Sequence, residues 1–297
     1  MNFASFEHHF SISKPNTKLI YINIAVFLVV AFINVFRELM GMSSFGFAAK
    51  LQLPSYYSLF VKQFWSIFTY MFLHLNLLHV FFNMLCLYWF GQIFLMYFTD
   101  KQFVGVYILG GLFGGIAYLL SYSYIPYFEG KVALLCGASA SIIALITASA
   151  LEMPNMPIRL LLIGTIKLKW VAVATVLISV LGITSDNAGG EIAHIGGALG
   201  GWIWFVLLKR NIEITKPIDF IISFFTKVFN MFSGKKPKLK VNRRTKYHYV
   251  KPDEAYNTEQ KQNNQNLDII LDKIRKSGYG SLTEQEKKQL FDLSNKV

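Results

Sequence analysis

Residues 132–151 read VALLCGASASIIALITASAL. No charged side chain interrupts this stretch, and at about 1.5 Å per residue it is long enough to cross a hydrocarbon layer about 30 Å thick. It predicts a membrane span. Yet Ser139 and Ser141 stand inside it, shortly after Gly137, and polar groups in a span are functional candidates because burial without partners is unfavourable.

Working outward, five further apolar runs appear, at 19–36, 77–98, 103–120, 168–183 and 192–208, the fifth in chain order being the shortest. The composition agrees. Of 297 residues, 54% are hydrophobic and only 15% charged, well below the share usual in soluble domains. The expected fold is all-α, a bundle of six transmembrane helices over residues 19–208. It is preceded by a short polar lead (1–18) and followed by an interfacial helix with a basic linker (209–265) and a small helical hairpin (266–297). The apolar segment 218–232, interrupted by Asp219 and Lys227, supplies the interfacial helix.

Charge sets the orientation. With the N-terminus cytoplasmic, the outer loops hold Arg37, Lys50, Lys62 and Lys131. The inner ones hold Lys14, Lys18, Lys101, Arg159, Lys167, Lys169, Lys209, Arg210 and Lys216, the bias expected of cytoplasmic loops. Both termini are then cytoplasmic. The apolar loop 37–62 is expected to lie in the outer interface. Residues 209–297 hold 19 Lys or Arg against 10 Asp or Glu, and this basic segment beside a span is read as facing anionic lipid, not nucleic acid. In the tail, Leu267, Ile270, Leu271 and Ile274 repeat at helical spacing. Gly278 ends that helix, and Ser281 with Glu284 is expected to cap another. The two cysteines, Cys86 and Cys136, show no disulfide or metal spacing.

The polar residues within spans are His79 and Asn83, Ser139 and Ser141, and His194. Each sits near the outer end of an even-numbered span, so all can meet at one depth, with Ser139 about 10 Å below the start of its helix. His79 and Asn83 are four apart and share a face, whereas Ser139 and Ser141 point to nearly opposite sides. Small neighbours at Gly137, Ala138 and Ala140 favour Ser139 as a nucleophile, and Ser141 is expected to bond a carbonyl of its own helix. Each residue alone has a plain structural reading as helix–helix glue. Their conjunction points to serine chemistry, and too few nitrogen, sulfur or oxygen ligands surround them for a metal. No cofactor is implied.

These residues carry a family resemblance. HLNLLHVFFN (74–83), Gly137-Ala138-Ser139-Ala140 and Ala193-His194-Ile195-Gly196-Gly197 with Gly201 look like the ordered motifs of the rhomboid family of intramembrane serine proteases, and the resemblance covers residues 19–208. It implies a dyad in which Ser139 attacks a scissile carbonyl and His194 moves the proton. It also implies an oxyanion site of His79, Asn83 and the Ser139 N–H. Gly197 and Gly201 would let spans four and six approach, and His74, off the His79 face, would hold the outer loop. Three positions depart from what the family often carries. Ser66 stands where an arginine is frequent, Ile143 where an aromatic ring stacks on the histidine, and Leu95 where an acid follows the glycine in span two. Glu191, three residues before His194, has two readings, one in which it orients that ring and a favoured one as a carboxylate at the start of its helix.

The resemblance implies an endopeptidase that cuts membrane-protein substrates, single-span proteins among them, in or beside a transmembrane helix. The tail is similar to one found on some bacterial rhomboids, which implies a bacterial cytoplasmic membrane. A non-catalytic relative that binds client membrane proteins and directs their folding or turnover is the alternative, opposed by the presence of both Ser139 and His194. A transporter would need ion-binding acids at mid-membrane, and none is read here. The short fifth span beside span two is a candidate gate.

Overall fold

The computed structural model describes residues 10, 12–42, 45–160, 164–218, 220, 223 and 269–294. Six apolar helices dominate the first unit: α1 (Pro15–Leu39), α2 (Leu77–Phe94), α3 (Asp100–Tyr124), α4 (Ser139–Glu152), α5 (Leu168–Leu181) and α6 (Ala188–Lys209). Among the described residues, α1, α2, α3 and α6 are long and apolar enough to cross a membrane, whereas α4 and α5 are shorter. The chain is therefore an integral membrane protein. At 14 residues each, α4 and α5 reach about 21 Å and fall short of the hydrocarbon thickness.

The expected span from Val132 is corrected. Residues 132–138 are not helical, and Leu134–Leu135 form a strand, β2, paired antiparallel with β1 (Leu53–Pro54). Gly137 then turns the chain at φ +126°, a conformation that suits glycine and strains other residues, and α4 begins at Ser139. Ser139 is thus the first residue of its helix. An extended segment, not a stretch of helix, carries the chain to it. A second hairpin, β3 (Pro157–Leu160) with β4 (Gly164–Lys167), joins α4 to α5, so the purely helical expectation needs these two small strand pairs added.

The bundle is built around α4, which packs against α2, α3, α5 and α6. Small residues bring three of these backbones close. A Cβ on Gly114 of α3 would lie 2.7 Å from the Ala140 Cβ and 2.8 Å from the Ala193 carbonyl, and one on Gly196 would lie 2.6 Å from the Phe113 carbonyl. Lipid tails provide no hydrophobic drive between helices, so dense packing of this kind supplies much of the association energy. Larger side chains pack around Phe94, whose ring meets those of Phe98, Phe103 and Trp204, with Phe98 also against Trp204.

The segment after α1 folds into short helices, Phe45–Ala49, Tyr57–Lys62 and Ser66–Thr69. Tyr57 and Phe64 are exposed, and aromatic rings of this kind suit a membrane interface. The anchors of this segment are polar. Trp65 Nε1 donates to the Lys50 carbonyl at 2.9 Å, Thr69 Oγ1 to the Leu51 carbonyl at 2.7 Å, and Gln63 Nε2 to the Gln52 carbonyl at 3.3 Å. Ser66 is fully buried and, among the described residues, its hydroxyl has no partner.

The tail is a separate unit. Residues 269–277 are helical, Gly278 follows at φ +76°, and α7 (Glu284–Ser294) completes the pair. The expected cap at Ser281 and Glu284 is displaced by two residues, because α7 starts only at Glu284. Thr283 and Glu286 form the reciprocal box, with Thr283 N donating to Glu286 Oε2 at 2.7 Å and Glu286 N to Thr283 Oγ1 at 3.3 Å. Lys273 reaches Glu286 across the hairpin at 2.8 Å. Most of the expected interfacial helix, the basic linker, Leu267 and residues 1–9 and 11 of the N-terminal lead lie outside the described residues.

Candidate active site

Three elements converge at the start of α4. Gly137 N donates to the Tyr70 carbonyl at 2.9 Å, and Ala138 N donates to His74 Nε2 at 3.4 Å. The turn before Ser139 is thus held by residues 70–74. That segment is held in turn by Tyr107 of α3, whose hydroxyl donates to the Met71 carbonyl at 2.9 Å, and by Tyr70, whose hydroxyl donates to the Gly111 carbonyl at 2.5 Å. His74 accordingly contacts the turn before Ser139, beyond the outer-loop role implied for it. Burial first, and then the neighbouring His79 ring, hold its imidazole down at about 4 although the Phe72 carbonyl acts the other way. It is neutral at physiological pH and free to accept the Ala138 N–H.

At α4's first residue, Ser139 Oγ lies 2.8 Å from His194 Nε2. The far nitrogen of that ring, Nδ1, faces Ser179 Oγ at 3.1 Å and Glu191 Oε2 at 3.3 Å. Gly197 and Gly201 are the close-approach points below. A Cβ on Gly197 would sit 2.8 Å from the Ala140 carbonyl carbon, and one on Gly201 would sit 2.8 Å from Ala144 Cα.

His79 is brought to the same place. A Cβ on Gly137 would lie 2.8 Å from both His79 Cε1 and Nε2 and 3.8 Å from Ser139 Oγ, so the absence of a side chain at Gly137 leaves room for the imidazole beside the serine. The start of α2 is fixed by Asn76, whose side chain accepts the His79 N–H at 2.7 Å. Asn83 is buried one turn on, and one of its amide hydrogens goes to the His79 carbonyl at 2.9 Å. Only its second N–H remains for another acceptor. In α4 the first backbone bond is Ile142 N to the Ala138 carbonyl at 3.0 Å, so the N–H groups of the first turn, Ser139's included, have no acceptor within their own helix.

Ser141 departs from expectation. Its hydroxyl does not bond its own helix. It is fully buried and, among the described residues, without a partner, and it faces α3, where a Cβ on Gly111 would lie 2.9 Å from its Oγ. Ile143 is buried in the α4 packing and offers no ring to the histidine. Glu191 lies in the first turn of α6, as the favoured reading has it, and it also reaches His194, the contact that the less favoured reading called for.

Ser179 was missed from sequence. It and Thr175 are the only hydroxyls in α5, and that scarcity was the available signal. Asn23 was missed too: it is buried in α1, donates to the Leu19 carbonyl at 2.8 Å and approaches the Tyr107 hydroxyl at 3.4 Å. Among the described residues, no three His, Cys, Asp or Glu side chains group so as to hold a metal ion.

Chemically, a hydroxyl hydrogen-bonded to an imidazole, with further donors nearby at a helix start, is suited to acyl transfer. A family model described as the rhomboid domain matches residues 61–211, just over half of the chain. Residues 252–296 match a family of unknown function (DUF6576). No curated protein matches the chain. The matched segment contains every residue of the cluster around Ser139 and His194, and the chain belongs to the rhomboid family.

Proposed function

We propose that this protein is an intramembrane serine endopeptidase that hydrolyses a peptide bond in or near the transmembrane helix of membrane-protein substrates. The observation that carries the reading is the 2.8 Å contact between Ser139 Oγ and His194 Nε2. Ser139 Oγ adds to the scissile carbonyl carbon while its proton passes to His194 Nε2. The carbonyl oxygen becomes an oxyanion, stabilised by the Ser139 N–H, by His79 and by the second N–H of Asn83. Collapse breaks the C–N bond, and the amine leaves with the proton from His194. Water then attacks the ester on Ser139, giving its proton to the same nitrogen, and the serine is regenerated with release of the acid.

His74, Gly137, Gly197 and Gly201 serve as structural supports of this site. The chain crosses the membrane six times, with α4 and α5 as short spans and both termini cytoplasmic. It acts in a bacterial cytoplasmic membrane, in contact with substrates and lipids.

The test is cleavage of a single-span substrate in proteoliposomes by the wild type, Ser139→Ala and His194→Ala. Cleavage by the wild type and none by either variant is expected. Cleavage that survives in either variant would remove the dyad. Binding of substrates without cleavage across a varied panel would favour a non-catalytic protein that directs the folding or turnover of its clients.

A further inference from the structure

His194 is engaged on both sides of its ring, and the dyad accounts for only one. For Nε2 to accept the Ser139 proton, the neutral ring must carry its hydrogen on Nδ1. That hydrogen points toward two oxygens, Ser179 Oγ at 3.1 Å and Glu191 Oε2 at 3.3 Å. They come from different elements. Glu191 is one turn before His194 on α6, with 17% of its side chain exposed. Ser179 is in the last turn of α5 and is 1% exposed, while its neighbours Ile178 and Val180 are turned outward. The close fit continues at the end of α5, where a Cβ on Gly182 would lie 2.8 Å from Glu191 Cγ. The other hydroxyl of α5, Thr175, bonds the Val171 carbonyl of its own helix. Ser179 reaches out of its helix.

We propose that Glu191 and Ser179 are positioning residues for His194: together they fix the Nδ1–H tautomer, and the Glu191 carboxylate stabilises the imidazolium formed when Ser139 attacks. The inference rests on the protease reading, but one of its observables does not. In the reaction the Ser139 proton goes to Nε2, the Nδ1 hydrogen stays on the ring, and the carboxylate takes up no proton. A carboxylate whose only service is to the start of α6 would leave the ring tautomer and the turnover number indifferent to its loss.

The test uses the full-length chain in detergent micelles and proteoliposomes, with ring-15N histidine, and compares the wild type with Glu191→Gln, Ser179→Ala and Ser179→Ala/Glu191→Ala. The His194 ring signals are assigned by their loss in His194→Ala, and folding of each variant is checked by its thermal unfolding midpoint. The wild type is expected to show the Nδ1–H tautomer, and the double variant a mixture of tautomers. On a single-span substrate, kcat of the double variant should fall about 100-fold with KM within threefold, at the lower end of what general acid–base catalysis contributes. Glu191→Gln keeps an amide oxygen as acceptor, so it should keep the tautomer and still lose about 10-fold in kcat, because the charge is gone. A folded double variant with the wild-type tautomer, or with its loss confined to KM, overturns the proposal. Should the wild type cleave nothing, the protease reading fails, and the tautomer comparison still decides whether these two residues orient His194.

Discussion

Gly197→Ala isolates how closely α4 and α6 must approach. The added Cβ would stand 2.8 Å from the Ala140 carbonyl carbon and 2.9 Å from its Cα, with the carbonyl oxygen nearer still. Ordinary carbon–carbon contact begins at about 3.5 Å, so the shortfall is about 0.7 Å or more, and it is against backbone that cannot rotate aside. The helices must part at this level. Ala140 directly follows Ser139, and Gly197 lies one turn beyond His194, so the parting falls on the Ser139–His194 contact. The 2.8 Å contact would open to about 3.5 Å, past useful hydrogen-bond range. A misplacement near 1 Å can reduce rate about 100-fold, and overpacking of a well-filled core typically destabilises by about 1–3 kcal/mol. The assay is the initial rate of cleavage of a single-span substrate in proteoliposomes, run beside thermal unfolding. A roughly 100-fold loss of kcat with a folded protein is expected. Gly201→Ala, which meets Ala144 one turn further from Ser139 and His194, should destabilise similarly and lose less activity. If Gly197→Ala remains folded and keeps kcat within threefold of wild type, the geometric argument is wrong.

Gly137→Ala should strain a backbone at φ +126° and press on the His79 ring; labelling of Ser139 by a fluorophosphonate should slow about 100-fold, the usual effect of losing an oxyanion donor. Tyr107→Phe removes the donor to the Met71 carbonyl and should destabilise by about 1–3 kcal/mol, read as a lowered unfolding midpoint. Glu213 accepts from Gln102 Nε2 at 2.8 Å, Trp204 Nε1 at 2.9 Å and Thr215 Oγ1 at 2.7 Å. Burial raises its carboxyl, but these donors outweigh it and hold the group below its ordinary 4.5. Its contribution is therefore present above pH 4.5 and lost as pH falls through the folded value. Glu213→Ala should be destabilised near neutral pH, and the difference from wild type should shrink in acid unfolding series.

The sequence made the long helices legible because a span is a matter of length and polarity, which local composition records. It also made His79, Ser139 and His194 legible, since each is a polar group in an apolar run. Other features depend on relations between segments. Ser179 looks like any serine in an apolar helix, and most of these bond their own backbone, as Ser149 does to the Leu145 carbonyl at 2.8 Å. Only the rotation of α5 against α6 distinguishes it, and that rotation has no local signature. Two-residue strands such as β1 and β2 carry no periodicity to read. The start of α4 was misplaced for a related reason: residues 132–138 are as apolar as the helix that follows, and their extended path is imposed by partners elsewhere.

That extended path explains why so much of the chain before α2 is ordered. A nucleophile at a helix start has unused N–H groups beside it, which is useful for an oxyanion, but it requires the preceding chain to enter the protein without helical hydrogen bonds. Away from water, such backbone persists only where protein supplies its partners. Here they are supplied residue by residue. Ser55 N donates to the Ala133 carbonyl at 3.0 Å, and Ala133 N to Ser55 Oγ at 3.0 Å. Leu134 and Leu135 pair with Pro54 and Leu53. Gly137 N is taken by Tyr70 and Ala138 N by His74. The bonds of Gln63, Trp65 and Thr69 to the carbonyls of residues 50–52 then hold that scaffold in shape, in a chain with Ser66 at the position where an arginine is frequent in the family. The short helices and β1 of residues 45–72 are thus the counterpart of starting α4 at Ser139: an ordinary full-length span there would need no such partners, but would bury Ser139 Oγ in mid-helix with its own N–H already engaged.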